Sequence, residues 1–407
     1  MKTYFILITI VFLFGCTRNI EPEPIPEDIV LSQKSGELIN ANNDFTFSLL
    51  HHLQMKDGEN LMLSPLSISL ALSMTLNGAE TTTKTDMINT MGFKGFSVDE
   101  INQIYLDLIT ALKKADPKVV MNVANSIWIK KNYPVLEPFI TTNQKYYDAR
   151  IEKLEFDLNA LKAINGWVNE KTNTKIPEIL DKISGDEIMF LINAIYFKGQ
   201  WKIQFDKAKT QDESFLLPSG GTVSVPMMKV QEQFGYSVQT GFKALKMPYG
   251  RGKFGMTILL PEDGKTPDQL MSQLTPSIWA AIENSLTATV KTDVWLPRFK
   301  FNYGCNLEEL LSSMGMSVAF TSGQADFSKI NTIDDLYITK AIHKTFIEVN
   351  EEGTEAAAAT LIAIGKTSAG TSEPVFHATK PFLFFITEED TQAILFVGKV
   401  ENPLIAN

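Results

Sequence analysis

The sequence predicts an α+β fold in one large domain that spans residues 35–407. Helix-like and strand-like segments are interspersed along this region, and no Gly/Ser/Pro-rich linker interrupts residues 35–400. Of the 407 residues, 44% are hydrophobic and 21% are charged, which is typical of a globular protein with a large buried core. We therefore expect one body rather than a string of modules.

The first residues are typical of a targeting segment. Lys2 supplies a basic start, and residues 4–14 are almost wholly apolar but too few to cross a bilayer as a helix. The following Leu13-Phe14-Gly15-Cys16 resembles the bacterial lipobox, which implies a signal peptide over residues 1–15 and a lipid on Cys16. A plain signal peptide, with secretion of the protein, is the alternative.

Residues 16–34 are predicted to form a solvated tether behind the lipid. Pro22, Pro24 and Pro26 alternate with acidic residues there, and such a composition cannot build a core. We expect the protein to be anchored in the bacterial cell envelope, on the outer membrane or the cell surface. With Cys16 lipidated, Cys305 is alone, so no internal disulfide is expected.

Charge and composition argue against several classes of function. The net charge of −10 and the pI near 5.1 argue against a nucleic-acid binder, which needs a basic surface for phosphates. The chain has four histidines, without a zinc-type His/Cys spacing and without a Gly-x-Ser-x-Gly elbow. We therefore expect a protein that is not an enzyme and uses neither a metal nor a cofactor. We also expect a monomer.

The elements of the body follow from hydrophobic periodicity and from helix start signals. Ser64 is placed to cap a helix that Pro65 begins, because proline fits the first helical turn. The run at 190–201 is nearly continuous in apolar residues, which favours a strand buried on both faces. In chain order we predict helices over residues 35–55 and 65–76, and strands over residues 60–63, 119–129, 190–201, 225–229, 245–249, 256–261, 381–386 and 394–400.

The segment from Glu351 to Ser368 carries the prediction of function. Its Gly-Thr start and alanine-rich run favour a short helix on propensity alone. In an extended chain, however, alternate residues share one face that is small or apolar and free of charge and proline: Thr354, Ala356, Ala358, Thr360, Ile362 and Ile364. Such a segment could enter a sheet between two strands without burying an unpaired charge.

The same segment resembles the hinge of the inhibitory serpins, whose pattern is Glu-Glu-Gly-Thr-Glu-Ala followed by small residues. Further matches are the Ser-Pro-x-Ser-Ile start at residues 64–68, the strand at 125–129 and the strand at 190–201. The resemblance also implies a helix at 164–173, a strand at 296–301 and a helix at 307–316. The resemblance covers residues 35–403 in order. It implies three β-sheets, eight to nine helices, an exposed reactive-centre loop at about residues 353–375, and a metastable native state.

The resemblance also implies roles for individual residues. The hinge comprises Glu351, Gly353, Thr354, Glu355, Ala356, Ala357, Ala358, Ala359 and Thr360. A polar cluster under the main sheet, the shutter, comprises Ser64, Ser67, Asn193 and His343, and the breach at the top of the sheet comprises Trp201 and Lys198 beside Glu351. The alternatives are a simple helix cap for Ser64, a hydrogen-bonded core histidine for His343 and a core aromatic for Trp201.

The function that the resemblance implies is suicide-substrate inhibition of serine endopeptidases, and of cysteine endopeptidases that also form an acyl-enzyme. The cleaved loop would insert as a central strand and trap the acyl-enzyme. The expected scissile bond is Lys366–Thr367, which suits trypsin-like targets; Thr367–Ser368 is the second choice, and elastase- or subtilisin-like targets fit cleavage after Thr367 or Ile364. The alternative function is a non-inhibitory surface lipoprotein of the same fold, used for binding or as a scaffold.

Overall fold

In the computed structural model, the described residues are 25–54, 58–184, 187–333, 335–354 and 373–405. These residues contain nine α-helices and fifteen β-strands, so the predicted α+β class is confirmed. The helices are α1 (Gln33–His52), α2 (Pro65–Leu76), α3 (Thr81–Thr90), α4 (Val98–Leu112), α5 (Glu137–Tyr147), α6 (Leu158–Lys171), α7 (Pro267–Gln273), α8 (Pro276–Ser285) and α9 (Glu308–Leu311).

The strands form a six-stranded and a nine-stranded sheet within the described part of the chain. They are β1 (Leu61–Leu63), β2 (Val119–Lys130), β3 (Arg150–Leu154), β4 (Met189–Gln200), β5 (Gln211–Leu216), β6 (Thr222–Gln239), β7 (Phe242–Tyr249), β8 (Phe254–Pro261), β9 (Thr289–Pro297), β10 (Phe299–Asn306), β11 (Ile342–Asn350), β12 (Gly353–Thr354), β13 (Val375–His377), β14 (Phe382–Glu388) and β15 (Ile394–Val400).

The six-stranded sheet has the order β10–β11–β12–β4–β2–β3. β2 and β4 are antiparallel over a long register, from Val119 opposite Gly199 to Ile129 opposite Met189. β4 confirms the strand predicted at 190–201, but only residues 194–197 are buried in succession and its first half alternates between buried and half-buried positions. One face of this sheet is therefore less enclosed than its apolar run suggested.

The nine-stranded sheet has the order β1–β15–β14–β8–β7–β6–β9–β13, with β5 paired to β6. β6 is 18 residues long, far longer than the predicted strand at 225–229. Its middle part pairs with β9 and its last residues, from Gly235 to Gln239, pair with β7. Two of the three predicted sheets thus share β6 and are hydrogen-bonded as one.

α2 packs between the two sheets, against β4 on one side and β15 on the other. All of its residues except Ala71 are buried, which fits a helix that is apolar around most of its circumference. The Ser64 hydroxyl accepts a hydrogen bond from the Ser67 amide, and Pro65 occupies the first turn. The predicted helix start is confirmed, and it fixes both serines directly beneath the six-stranded sheet.

The body begins before the predicted residue 35, because residues 25–34 of the predicted tether 16–34 already include contacts with it and the start of α1. α1 begins at Gln33 with Ser32 as its cap. Upstream of α1, the amide of Ile29 donates to the Asp390 carboxylate at 2.8 Å, and the Glu27 amide donates to the Ala115 carbonyl at 3.1 Å. We call residues 25–31 the N-terminal strap. The acidic, proline-rich composition did not indicate these contacts, because they are made by backbone amides.

Among the helices described, none combines the length and the hydropathy that a membrane crossing requires. The predicted lipid-bearing Cys16 and the signal peptide lie outside the described residues.

Candidate functional site at the entrance between β4 and β11

The site is built around β12, which consists of two residues and lies between two long strands. Gly353 pairs with Asn350 of β11 and with Gln200 of β4, and Thr354 pairs with Val349 and Gly199. Because β12 is antiparallel to both neighbours, β4 and β11 run in the same direction. Within the described residues, β12 is their hydrogen-bonded link in the strand order.

Gly353 has a backbone that favours glycine, with φ at 150°. A Cβ atom added there would lie 2.1 Å from the Gly199 carbonyl oxygen and 2.7 Å from the Gln200 Cα, which sterics forbid. The neighbouring strands therefore close on the chain at this point to within backbone contact, and only glycine fits.

Thr354 points towards the interior of the molecule. It is 4% exposed, and its hydroxyl lies 2.6 Å from the Tyr249 hydroxyl, with which it shares a hydrogen bond. Burial raises the pKa of Tyr249 far above its usual value, so this phenol stays protonated. The face predicted to turn inwards from Thr354 onwards is thus turned inwards at its first residue.

Trp201 holds the chain just before β12. Its indole Nε1 donates to the Asn350 carbonyl at 2.9 Å, and its backbone amide donates to the Glu352 carbonyl at 2.8 Å. Its ring stacks on Tyr249 with centroids 4.4 Å apart. Trp201 is therefore both a buried core aromatic, the alternative given in the sequence analysis, and a residue in direct contact with the hinge.

Glu351 is 1% exposed and is held by Arg298. The Arg298 Nε donates to both carboxylate oxygens, at 2.8 and 2.9 Å, and the Thr210 hydroxyl also donates to this carboxylate. Burial raises the pKa of Glu351, but these hydrogen bonds and the guanidinium charge outweigh it, and the net pKa lies below the usual range. Glu351 is therefore ionised.

Lys198 lies on β4, opposite Val120 of β2 and one residue before Gly199. The described hydrogen bonds and ion pairs do not join it to Glu351 or Trp201. The lysine that does reach the hinge is Lys207, which pairs with Glu352.

Below β12, a gap separates β4 from β11. Directly under Thr354 it is lined by apolar side chains that include Ile195, Phe197 and Ile347. A separate cavity of about 340 Å³ lies further down between the same two strands. The apolar wall of this cavity includes Ile68, Leu72, Phe190, Ile192, Leu336 and Ile338. Both openings have walls from β4 and β11, below the level of β12.

Three of the predicted shutter residues, Ser67, Asn193 and His343, line this cavity, and Ser64 lies behind them, bonded to His343. The Ser64 amide donates to His343 Nε2 at 3.0 Å, and the Ser67 hydroxyl donates to the Asn193 side-chain oxygen. The Asn193 amide in turn donates to the Asn125 side-chain oxygen at 2.7 Å. Asn193 and His343 thus face the gap from opposite strands, each held to the start of α2.

His343 is neutral at physiological pH. It is 5% exposed, and its Nε2 accepts a hydrogen bond, so its ring proton is on Nδ1. Burial lowers the pKa of His343 to about 4.

The chain reappears on the far side of the loop in the other sheet. β13 runs parallel to β9, with Phe376 buried and the His377 ring stacked 4.0 Å from Trp295. Glu373 pairs with Lys291 at 2.6 Å. The two flanks of the predicted reactive-centre loop are therefore fixed in two different sheets. The hinge residues 355–360 and the candidate bonds at Lys366, Thr367 and Ser368 lie outside the described residues.

Sequence reasoning missed Arg298, Thr210, Tyr249 and Asn125 as members of this site. Each belongs to an element distant in sequence from the residue it contacts. The sequence held one weak indication for Arg298. It directly follows β9, which ends at Pro297, and an arginine next to a core strand either pairs with a buried carboxylate or extends into solvent.

Comparisons with known proteins agree with this geometry. Residues 40–403 match the family model described as serpin, serine protease inhibitor. The leukocyte elastase inhibitor A of Rattus norvegicus is 36% identical over 382 residues, covering 90% of this chain and 100% of that protein. The thermophilic serpin tengpin in its native state superposes with a TM-score of 0.84 at 31% identity, covering 92% of this chain and 96% of tengpin. Human thyroxine-binding globulin gives 0.81 at 28% identity, covering 91% and 99%.

Proposed function

Because the chain belongs to the serpin family, we propose that it inhibits serine endopeptidases as a suicide substrate. A protease would cleave the loop between β12 and β13 and form its acyl-enzyme. The freed upstream arm would then fill the gap between β4 and β11 as a new central strand, and the protease, still attached, would be displaced and trapped before hydrolysis.

The observation that carries this proposal is the start of that strand. Gly353 and Thr354 already pair with both neighbours, above two openings between the same strands, a small one under Thr354 and a cavity of about 340 Å³ further down. If the register of β12 continues, each further residue meets one position lower on β4 and on β11. Residue 360 then stands opposite Asn193 and His343 together, which places its hydroxyl at the shutter.

The side chains of the arm suit this path. The inward face after Thr354 is Ala356, Ala358, Thr360, Ile362 and Ile364, without a charge or a proline. Insertion would add on the order of ten backbone hydrogen bonds at about 1 kcal/mol each, before the apolar contacts within the cavity are counted. A native state that lacks these bonds is held short of its most stable form by the intact loop, which is the metastability expected from the family resemblance.

A non-inhibitory binding role is the second candidate, and fold similarity does not separate the two. The chain superposes almost as well on thyroxine-binding globulin as on tengpin, with TM-scores of 0.81 and 0.84. The hinge favours inhibition. An arm without a charge or a proline on its inward face can insert after cleavage without burying an unpaired charge or losing a strand hydrogen bond.

The target and the anchor complete the proposal. Lys366 is the basic residue of the loop, so cleavage of Lys366–Thr367 by a trypsin-like enzyme is favoured over Thr367–Ser368, with elastase- and subtilisin-like enzymes as further targets. A lipid on Cys16 would hold the inhibitor at the bacterial cell envelope.

The test is incubation with trypsin and, separately, with elastase. We expect an SDS-stable band of inhibitor plus protease, and a released C-terminal peptide whose mass identifies the bond. Chain nicked within residues 355–372 by a non-target protease should melt at a higher temperature than intact chain. Nicking that leaves the melting temperature unchanged, with no stable band for any protease tried, contradicts the proposal.

A further inference from the structure

The N-terminal strap leaves the body beside the entrance for the loop. From residue 31 backwards it contacts first Asp390, through the Ile29 amide, then Lys253, through the Asp28 carboxylate, and last the Ala115 carbonyl. Ile25, at the outer end of the described strap, is 82% exposed. The order of these contacts gives the strap a direction across the surface.

That direction ends near β12. Ala115 lies four residues before Val119, which pairs with Gly199, and Gly199 pairs with Thr354. Two strand spacings of about 4.8 Å separate Val119 from Thr354, and the turn before β2 adds little more. Glu27 therefore lies within about 25 Å of Thr354, on contact distances and strand spacing.

A second set of contacts leads to the same place. The Asp116 carboxylate accepts the Arg251 amide at 2.6 Å, and the next residue back, Gly250, donates its amide to the Gln200 carbonyl at 2.7 Å. Gln200 is the partner of Gly353. The turn that holds the strap therefore also borders the loop entrance.

The strap is fixed by charge as well as by backbone bonds. Lys253 pairs with Asp28 and with Asp390, and hydrogen bonds to these two carboxylates raise the pKa of Lys253 to about 12. The lysine stays charged at any working pH. Ile29 is 9% exposed and packs into the main core, which adds an apolar contact to the three polar contacts of the strap.

We infer that the strap aims the anchor so that the loop-bearing end of the body faces the lipid surface. The inference rests on the proposed lipid at Cys16. The eleven residues from Cys16 to Glu27 span at most about 40 Å when fully extended. β2 runs from the strap side to the opposite end of the sheet over about 36 Å, so that end lies further from the point where the strap leaves the body. The partner is then an endopeptidase that works close to the membrane surface.

Energy transfer to a lipid-headgroup acceptor tests this orientation. The full-length lipidated chain, with Cys305→Ser, would carry a donor dye at Lys366→Cys or at Lys131→Cys, just past the far end of β2, and would be bound to vesicles. Because position 131 lies about 36 Å from Val119 along β2, at the end away from the strap, we expect about twofold or more transfer from 366 over 131.

The matched variants separate the strap from the anchor. Glu27→Pro with Asp28→Ala removes one amide donor and one carboxylate of the strap, and should bring the two labels towards equal transfer. Glu37→Ala, an exposed carboxylate of α1, should leave the difference intact. Equal or reversed transfer in the unaltered strap overturns the inference, and so does absence of transfer from both labels, which also removes the anchor. Complex formation with trypsin in detergent reports on inhibition separately.

Discussion

Replacing Thr354 by arginine should turn the inhibitor into an ordinary substrate. Thr354 is 4% exposed and points inwards, bonded to Tyr249 above the apolar gap. An arginine there loses this hydrogen bond and brings a guanidinium against the side chains of Phe197 and Ile347. The chain would have to leave its place between β4 and β11 to solvate the charge.

The magnitude follows from those two losses. The hydrogen bond contributes about 1 kcal/mol net, and burial of an unpaired cation costs several kcal/mol. One oxygen of the nearby Glu352 carboxylate has no partner among the described residues and could recover part of that cost. A remaining penalty of about 3 kcal/mol on insertion favours hydrolysis of the acyl-enzyme about a hundredfold.

The assay is the number of inhibitor molecules consumed per trypsin molecule inactivated. We expect this number to rise steeply for Thr354→Arg, with nicked monomer replacing the SDS-stable band. Thr354→Val keeps the shape without the hydroxyl and should still inhibit. Glu355→Arg places the same charge on the outward face and should also inhibit. Full complex formation by Thr354→Arg would refute the reasoning.

Three further predictions concern Glu351 in the hinge, His343 in the shutter and Lys366 at the expected scissile bond. Glu351→Gln should lower the free energy of unfolding by about 1–3 kcal/mol at pH 7, because Arg298, 43% exposed, regains only part of its hydration. The pKa of Glu351 is depressed in the fold, so this stability is present above the unfolded pKa; urea unfolding should show the variant's deficit vanish as the pH falls through the folded pKa. The pKa of His343 is also lowered, to about 4, so the unfolded chain binds more protons and stability should fall by about 3 kcal/mol from pH 6.5 to pH 4. His343→Gln should lack this share of the acid sensitivity in the same measurement, and an unchanged pH profile would contradict the buried neutral imidazole. Lys366→Ala should abolish the trypsin complex; if it persists, the peptide mass will place the bond elsewhere, with Thr367–Ser368 as the first alternative.

Local signals explain why much of the fold was predictable. The start of α2 could be predicted from two consecutive residues, because Ser64 and Pro65 both favour a helix start whatever surrounds them. The strands β14 and β15 are buried at every position, and their continuous apolar runs were enough to predict both strands from the sequence. Period-two patterning likewise identified the inward face that Thr354 begins.

The parts that were not predictable depend on contacts between distant elements. Arg298 meets Glu351 across 53 residues, and Tyr249 meets Thr354 across 105. Nothing in the spacing of either pair announces the contact. The strap was misjudged for a related reason: Glu27 and Ile29 are held through their backbone amides, and side-chain composition does not report on backbone bonds. The continuity of two sheets depended on the length of β6, which its proline at 226 obscured.

The arrangement of polar groups explains how a sheet can stay parted. An apolar gap in a core is costly, since each lining side chain lacks neighbours on one side. The shutter removes the polar part of that cost, because Ser67 bonds to Asn193 and Ser64 bonds to His343, and both serines stand at the start of α2 rather than across the gap. At this level β4 and β11 therefore do not need hydrogen bonds to each other. A residue 360 that enters between them meets Asn193 and His343 already hydrogen-bonded to serines. What remains unsatisfied is apolar contact and the strand edges, and an extended arm of small residues supplies both.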